Sequence, residues 1–253
     1  MKKELGIQLF SVRDRMKTRE DAQYTLKKLK EYGYTQVQTA GVPVWGHEAF
    51  AEDVKNAGLT VVGTHLGFDL IKDTEECVRV HNILGTTNAG IGGAPSGTRD
   101  SIEAVSNFCN EANKAAEALS KYGMKFTYHN HSFEFAKIGN ERMIDILVRE
   151  LDPKYCSFVL DTYWVQNAGG FVNEWIEKLA GRIDILHLKD RAVKGNDGYI
   201  TELGNGNLNF KSIVKTAEET GVKYFCYEQD GNHALNPLES AKVSAEFFFN
   251  ELA

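Results

Sequence analysis

No apolar run in this chain approaches the ~18 residues of a membrane-spanning helix, so no membrane partner is expected. Cysteine is scarce: Cys77, Cys109, Cys156 and Cys226 are scattered, with no CxxC pair. They read as free thiols, buried as small hydrophobes in a reducing compartment, and a cytoplasmic protein is expected. There is no surplus of positive charge either. Lysine and arginine number 29 against 35 acidic residues, for a net charge of −6, which argues against a nucleic-acid surface. Neither GK[ST] nor GxGxxG occurs, so Gly90, Gly92 and Gly93 read as turn residues rather than as a phosphate cradle. The opening MKKELGIQLF runs straight into a strand pattern, without the length or cleavage site of a secretory leader.

What the chain does have is a repeated phrase. Leu5–Phe10 is strand-like, and Thr18 to Tyr32 carries helical apolar spacing at Ala22, Leu26 and Leu29. Gly33 then stands where a helix-ending glycine belongs, before a second strand over Tyr34–Thr39. The phrase recurs at Gly58 before Leu59–Thr64, Gly85 before Thr87–Ile91, Gly123 before Lys125–Asn130, and Gly221 before Lys223–Glu228. Tyr155–Leu160 and Ile183–Leu188 add two strands whose preceding helices end differently. Eight strand-then-helix units of about 30 residues, closed by a helix over Leu238–Leu252, predict an α/β fold of the (β/α)8 TIM-barrel type. The competing arrangement is an open doubly wound sheet. No linker or low-complexity segment interrupts the pattern, so residues 1–253 are expected to form a single domain. Two connections look long, Gly92–Asp100 and Arg191–Asn209.

A barrel keeps its chemistry at the C-terminal ends of its strands. The first strand delivers Gln8 there and the third His65. The fifth, KFTYHNHSFEF, delivers His129, His131 and Glu134; the period of two points both histidines the same way. The sixth ends at Asp161, the seventh at His187 and Lys189, the eighth at Glu228. Charged groups are almost never buried without a partner or a metal, so four consecutive strands closing on an acid or a histidine are hard to explain as packing. Asp161, His187, Glu228 and one fifth-strand group form a mixed oxygen–nitrogen set. Such a set suits one divalent ion: Mn²⁺, Mg²⁺, Co²⁺ or Zn²⁺.

YHNHSFEF, LDTYW, LHLKD and YEQD, in this order, resemble the xylose-isomerase-like superfamily of sugar phosphate isomerases and epimerases. LGIQLFSVRD and ELGNGNLNF fit the same pattern, so the resemblance covers essentially the whole chain. In the epimerases of that superfamily one divalent metal is held by Glu, Asp, His and Glu from strands five to eight. Carried over, the last three are Asp161, His187 and Glu228. The fifth strand departs from the pattern, placing His129 where the epimerases have a glutamate. Glu134 is favoured as the fourth ligand, with His129 and His131 in or beside the coordination sphere; replacement by His129 and a more weakly bound metal are the alternatives.

The resemblance implies a metal-dependent sugar or sugar phosphate isomerase/epimerase. The bound ion would polarise a carbonyl and stabilise the enediolate left when a carbon-bound proton is removed. Glu228 and either Glu134 or His129 would act as acid and base from opposite sides of the substrate. Substrate contacts are expected from Gln8, His65, His131, Trp164, Lys189 and Glu202. Several have structural rivals: His65 as a loop histidine, Lys189 in a salt bridge to Asp190 or Glu202, Glu202 as an anchor of its own loop, and Trp45 and Trp164 as packing. His47, His81 and His233 are assigned to the surface without a role. The partner is a small-molecule sugar, and barrels of this kind often form homo-oligomers. Two rival functions share the scaffold: a lyase acting on an inosose or 3-keto-glycoside, hinted at by the histidine-rich fifth strand, and a sugar-binding protein without turnover.

Overall fold

The computed structural model describes residues 3–41, 43–231 and 236–253. Eight strands form one parallel sheet: β1 (Gly6–Gln8), β2 (Gln36–Ala40), β3 (Thr60–His65), β4 (Asn88–Ile91), β5 (Lys125–His129), β6 (Cys156–Asp161), β7 (Ile183–Leu188) and β8 (Tyr224–Tyr227). Their order is β3-β2-β1-β8-β7-β6-β5-β4, so β1 pairs with β8 and consecutive strands are neighbours. The sheet's two edges meet at β3 and β4, where Leu66 N donates to Gly90 O at 2.9 Å. Helices cover the outside, and the architecture is a nearly closed (β/α)8 barrel. Among the described residues no helix is long and apolar enough to cross a membrane.

The repeated phrase has the structural meaning its sequence predicts. The helix Arg19–Glu31 starts at Thr18, whose hydroxyl accepts from Asp21 N at 3.1 Å, and buries Ala22, Leu26 and Leu29 against the sheet. Gly33, Gly58, Gly85, Gly123 and Gly221 all take positive φ, the left-handed turn that stops a helix before the next strand. All four cysteines are buried and unpaired.

Three expectations are corrected. The stretch after Asp190 is not all loop: Asp190–Lys194 and Asp197–Thr201 form an antiparallel hairpin. Its turn is Gly195-Asn196, with Gly195 at φ +63°, the residue type a tight hairpin demands. A smaller hairpin, Lys137–Ile138 with Glu141–Arg142, turns at Gly139 in the same way. His81 and His47 are buried rather than on the surface. The His81 ring lies between Cys77 O at 2.7 Å and the Thr64 hydroxyl at 2.9 Å, tying its helix to β3. His233 lies outside the described residues.

Gly90 is not a turn residue but a strand residue. A methyl group there would lie 2.3 Å from Thr64 O and 2.5 Å from Thr127 Oγ1, so only glycine lets β3 and β4 come this close.

Candidate metal centre and its cavity

The inward faces of the strands stack in layers. Val62, Val159, Ile185 and Cys226 pack together as an apolar plug in the barrel. Two residues further along, the same faces of β6 and β7 present Asp161 and His187, and the chain just past β8 presents Glu228. With His129 of β5 they form a group whose candidate ligand atoms all lie within 4.8 Å of one another, and all four are buried. His187 Nδ1 lies 2.8 Å from Glu228 Oε2 and 3.6 Å from Asp161 Oδ2. His129 Nε2 lies 3.5 Å from the same Asp161 oxygen and 3.7 Å from the same Glu228 oxygen.

These residues fit a divalent cation. His187 Nδ1 and Glu228 Oε2 stand at hydrogen-bond distance, yet neither makes a hydrogen bond, because neither is directed at the other. A buried imidazole nitrogen and a carboxylate oxygen side by side, neither engaged in a hydrogen bond to the other, are a pair that an ion can bridge into its coordination sphere. The other imidazole nitrogen of His187 lies 2.5 Å from Gln38 Oε1. With the amide oxygen accepting, that nitrogen carries the proton and Nδ1 keeps its lone pair for an ion.

Lys189 supplies the opposing charge. Its ammonium, fully buried, lies 2.9 Å from both Asp161 Oδ2 and Glu228 Oε2 and 3.0 Å from Asp230. Burial pushes both carboxyls up, but Lys189 together with the imidazoles of His187 and His129 outweighs it and holds Asp161 and Glu228 below the usual carboxylate range. Burial lowers the Lys189 ammonium, and Asp161 and Glu228 more than restore it, so it stays charged. His187 is depressed by burial and raised further by Glu228 and Asp161, ending at about 9. Without an ion, then, a proton on His187 and the ammonium balance the two carboxylates. A cation would displace that proton.

Two residues of the centre, His129 and Glu228, line a cavity of about 370 Å³ whose wall also includes His65, His131, Asp230 and Phe10. His65, His129 and His131 form a string of imidazoles, with centroids 4.9 and 4.7 Å apart. His131 Nδ1 and His65 Nε2 are buried with no hydrogen-bond partner. Burial, then His129, lowers His131 to about 3, so it is neutral at physiological pH.

Glu134 is placed elsewhere. The short helix Phe133–Phe135 turns it back beneath the strand end. There its carboxylate accepts from the Tyr128 hydroxyl at 2.9 Å and from His131 N at 2.7 Å. It is fully buried, burial raises it to about 7, and it belongs neither to the four-residue group nor to the cavity wall. The expected pairing of Glu228 with His129 across a substrate is not what the structure holds. Atoms 3.7 Å apart cannot flank a carbon that each must approach to about 3 Å.

The remaining candidates divide. Gln8 holds His65, its amide 3.2 Å from the ring Nδ1. Trp164 stands behind the cavity, with His131 5.4 Å from its ring and the Lys189 ammonium 5.0 Å over it. Glu202 is buried in its own loop, accepting from Ser240 Oγ at 2.7 Å and Thr201 Oγ1 at 3.1 Å. Asp190, rather than pairing with Lys189, accepts backbone N–H groups from Arg191, Gly204, Gly206 and Leu208, which clamps the GNGN turn. Gln38 is the residue sequence reasoning missed. An uncharged amide within a strand carries no signal until its partner, 149 positions away, is known.

A family model described as xylose isomerase-like TIM barrel matches residues 6–251, and the chain belongs to that family. It is 27% identical over 158 residues to the inosose dehydratase of Bacillus licheniformis, covering 55% of this chain and 52% of that one. The chain thus spans about half the length of the curated relatives it matches. In structure it resembles a sugar phosphate isomerase/epimerase from Parabacteroides distasonis, with a TM-score of 0.85 at 23% identity over 100% of this chain and 95% of that one. It also resembles the IOLI protein with a binding zinc atom, with a TM-score of 0.76 at 12% identity over 98% and 97% of the two chains. Likenesses at such identities are likenesses of fold.

Proposed function

We propose that this member of the xylose isomerase-like TIM-barrel family is a divalent-metal-dependent enzyme that enolises a small polyhydroxy ketone. The observation that carries the proposal is the convergence of His129, Asp161, His187 and Glu228 within 4.8 Å, with Nδ1 of His187 and Oε2 of Glu228 close but not bonded to each other. His129, not Glu134, is the fifth-strand ligand in this reading, since both oxygens of Glu134 are occupied. An ion held there would polarise the ketone and lower the cost of negative charge on its oxygen.

The chain's own residues supply the rest. Lys189 keeps a positive charge within 2.9 Å of two ligand oxygens, so charge developing on a substrate oxygen beside them meets a preorganised cation. Neutral His131 faces the cavity with an unpartnered Nδ1 and can accept the carbon-bound proton. An imidazole so weakly basic takes that proton only from a strongly stabilised carbanion, which ties its work to the neighbouring charges. The electron pair left on carbon then has two outlets. Reprotonation at the adjacent carbon or on the opposite face gives isomerisation or epimerisation; expulsion of a β-oxygen, leaving as water or an alcohol, gives elimination.

The names of the structural neighbour and of the curated relatives support one outlet each. The test begins with elemental analysis of the purified chain after loading with Mn²⁺, Co²⁺ or Zn²⁺. About one equivalent, lost in Asp161→Ala, is expected. Ketoses and inososes are then incubated in D₂O: deuterium entering recovered substrate or its epimer marks isomerisation, and an enone absorbance marks elimination. A chain that binds no ion under any loading condition sinks the proposal.

A further inference from the structure

A second cavity, of about 300 Å³, opens beside the first. Ala40 and Gly41, at the end of β2, line both. Gly41 N donates to His65 O at 2.9 Å, which fixes this shared edge to the strand that carries His65. The wall of the second cavity is largely apolar, made by Leu9, Met16, Pro43, Val44, Trp45 and Phe50, with Arg13 and Lys17 as its two basic members. The boundary between the two is a stacked pair. Phe10 lines the metal side, Arg13 lines the other, and the guanidinium carbon lies 3.9 Å from the ring centroid.

We propose that this cavity is a subsite for a second ring carried by the substrate. The ligand is then glycoside-like: one unit at the metal centre and an apolar-faced ring against Trp45 and Phe50, rather than a free monosaccharide or a sugar phosphate. The inference rests on the reading of the first cavity as the reacting site.

The chemistry of the wall selects this occupant. A phosphate would need donors, and Arg13 has already spent two on backbone: Nη1 donates to Phe10 O at 2.7 Å and Nη2 to Asp230 O at 2.9 Å. Lys17, the other basic residue of the lining, lies 3.9 Å from an Asp14 carboxylate oxygen, and the apolar side chains that make up most of the remaining wall offer a dianion no hydrogen bonds. A sugar or aryl ring meets them differently, since its face buries against an aromatic wall. The Trp45 indole N–H, buried and without a hydrogen-bond partner, supplies a donor for a ring oxygen or hydroxyl. A monosaccharide at the metal centre would leave this adjoining apolar surface wet.

The test measures binding rather than turnover. Dissociation constants for phenyl β-D-glucopyranoside, glucose and glucose 6-phosphate are determined by calorimetry on the Zn²⁺-loaded full chain. The phenyl glucoside is expected to bind at least about tenfold more tightly than either comparator. That advantage should vanish in Trp45→Ala and also in Val44→Arg, a change at an exposed rim position that leaves packing intact. Both variants should retain one metal equivalent, which separates loss of the subsite from loss of the metal centre. Tightest binding by glucose 6-phosphate, abolished in Arg13→Met, would overturn the proposal in favour of a phosphate site. The absence of any preference for the phenyl glucoside, whether all three bind equally or none binds, would also overturn it.

Discussion

The Lys189 ammonium lies 2.9 Å from Asp161 Oδ2 and 2.9 Å from Glu228 Oε2, the same two oxygens that face the imidazoles of His129 and His187. The lysine and the expected ion therefore share their carboxylates. Removing the charge in Lys189→Met leaves two buried anions under-compensated. In chelator the variant should lose on the order of 3–5 kcal/mol of stability. Saturating divalent metal should restore much of it, because the ion takes over the charge balance. Melting curves with and without metal check this; an equal loss in both would show that Lys189 plays no part in the metal centre.

Metal affinity should depend steeply on pH. His187 must shed a proton whose pKa has been raised to about 9, so below that value the ion competes with the proton. Affinity for Co²⁺ should rise by about tenfold per pH unit between pH 6.5 and 8.5. The raised pKa also means that, in the metal-free chain, His187 contributes stability that is fully present below its unfolded pKa and lost as pH rises through 9. A flat Co²⁺ affinity across this range would remove His187 from the ligand set.

Gln38→Leu should weaken metal binding by about 10–100-fold while leaving the ligands themselves untouched. The 2.5 Å contact between Gln38 Oε1 and His187 Nε2 is what leaves Nδ1 free for an ion. Gln38→Asn, too short to reach, should behave like the leucine variant. Calorimetric affinities equal to the parent would show that the tautomer is set by something else.

Glu134 predicts a slope in stability rather than in activity. Its carboxyl is raised from 4.5 to about 7 by burial, so between those values the folded chain keeps a proton that the unfolded chain releases. Its contribution, on the order of 3 kcal/mol, is fully present below pH 4.5 and lost as pH climbs through 7. Glu134→Gln should remove that slope from denaturant midpoints measured between pH 5 and 7.5. Retention of the full slope would assign it to another group.

Gly90→Ala tests barrel closure. The added methyl would stand 2.3 Å from Thr64 O, a backbone atom that cannot swing aside. A loss of more than about 2 kcal/mol in denaturant unfolding is expected. A neutral substitution would mean that β3 and β4 are not held this close in solution.

The eight strands, the helix-ending glycines and three of the four clustered residues could be read directly from the chain, because each is a local signal. The ends of the sixth, seventh and eighth strands placed Asp161, His187 and Glu228 at one end of the barrel. The hairpin after Asp190 was not read from the chain, because its short strands lie in a glycine- and asparagine-rich stretch that reads as loop. Contacts between strands are another matter. Whether His129 or Glu134 joins the metal centre turns on one helical turn over Phe133–Phe135, which delivers Glu134 to Tyr128 instead of to the cavity. Gln38, the double contact of Lys189 and the cavity beside Trp45 depend on residues far apart in sequence that meet only when the barrel closes. Spacing along a strand determined which side chains face inward; register between strands and the course of the loops decided which of them touch.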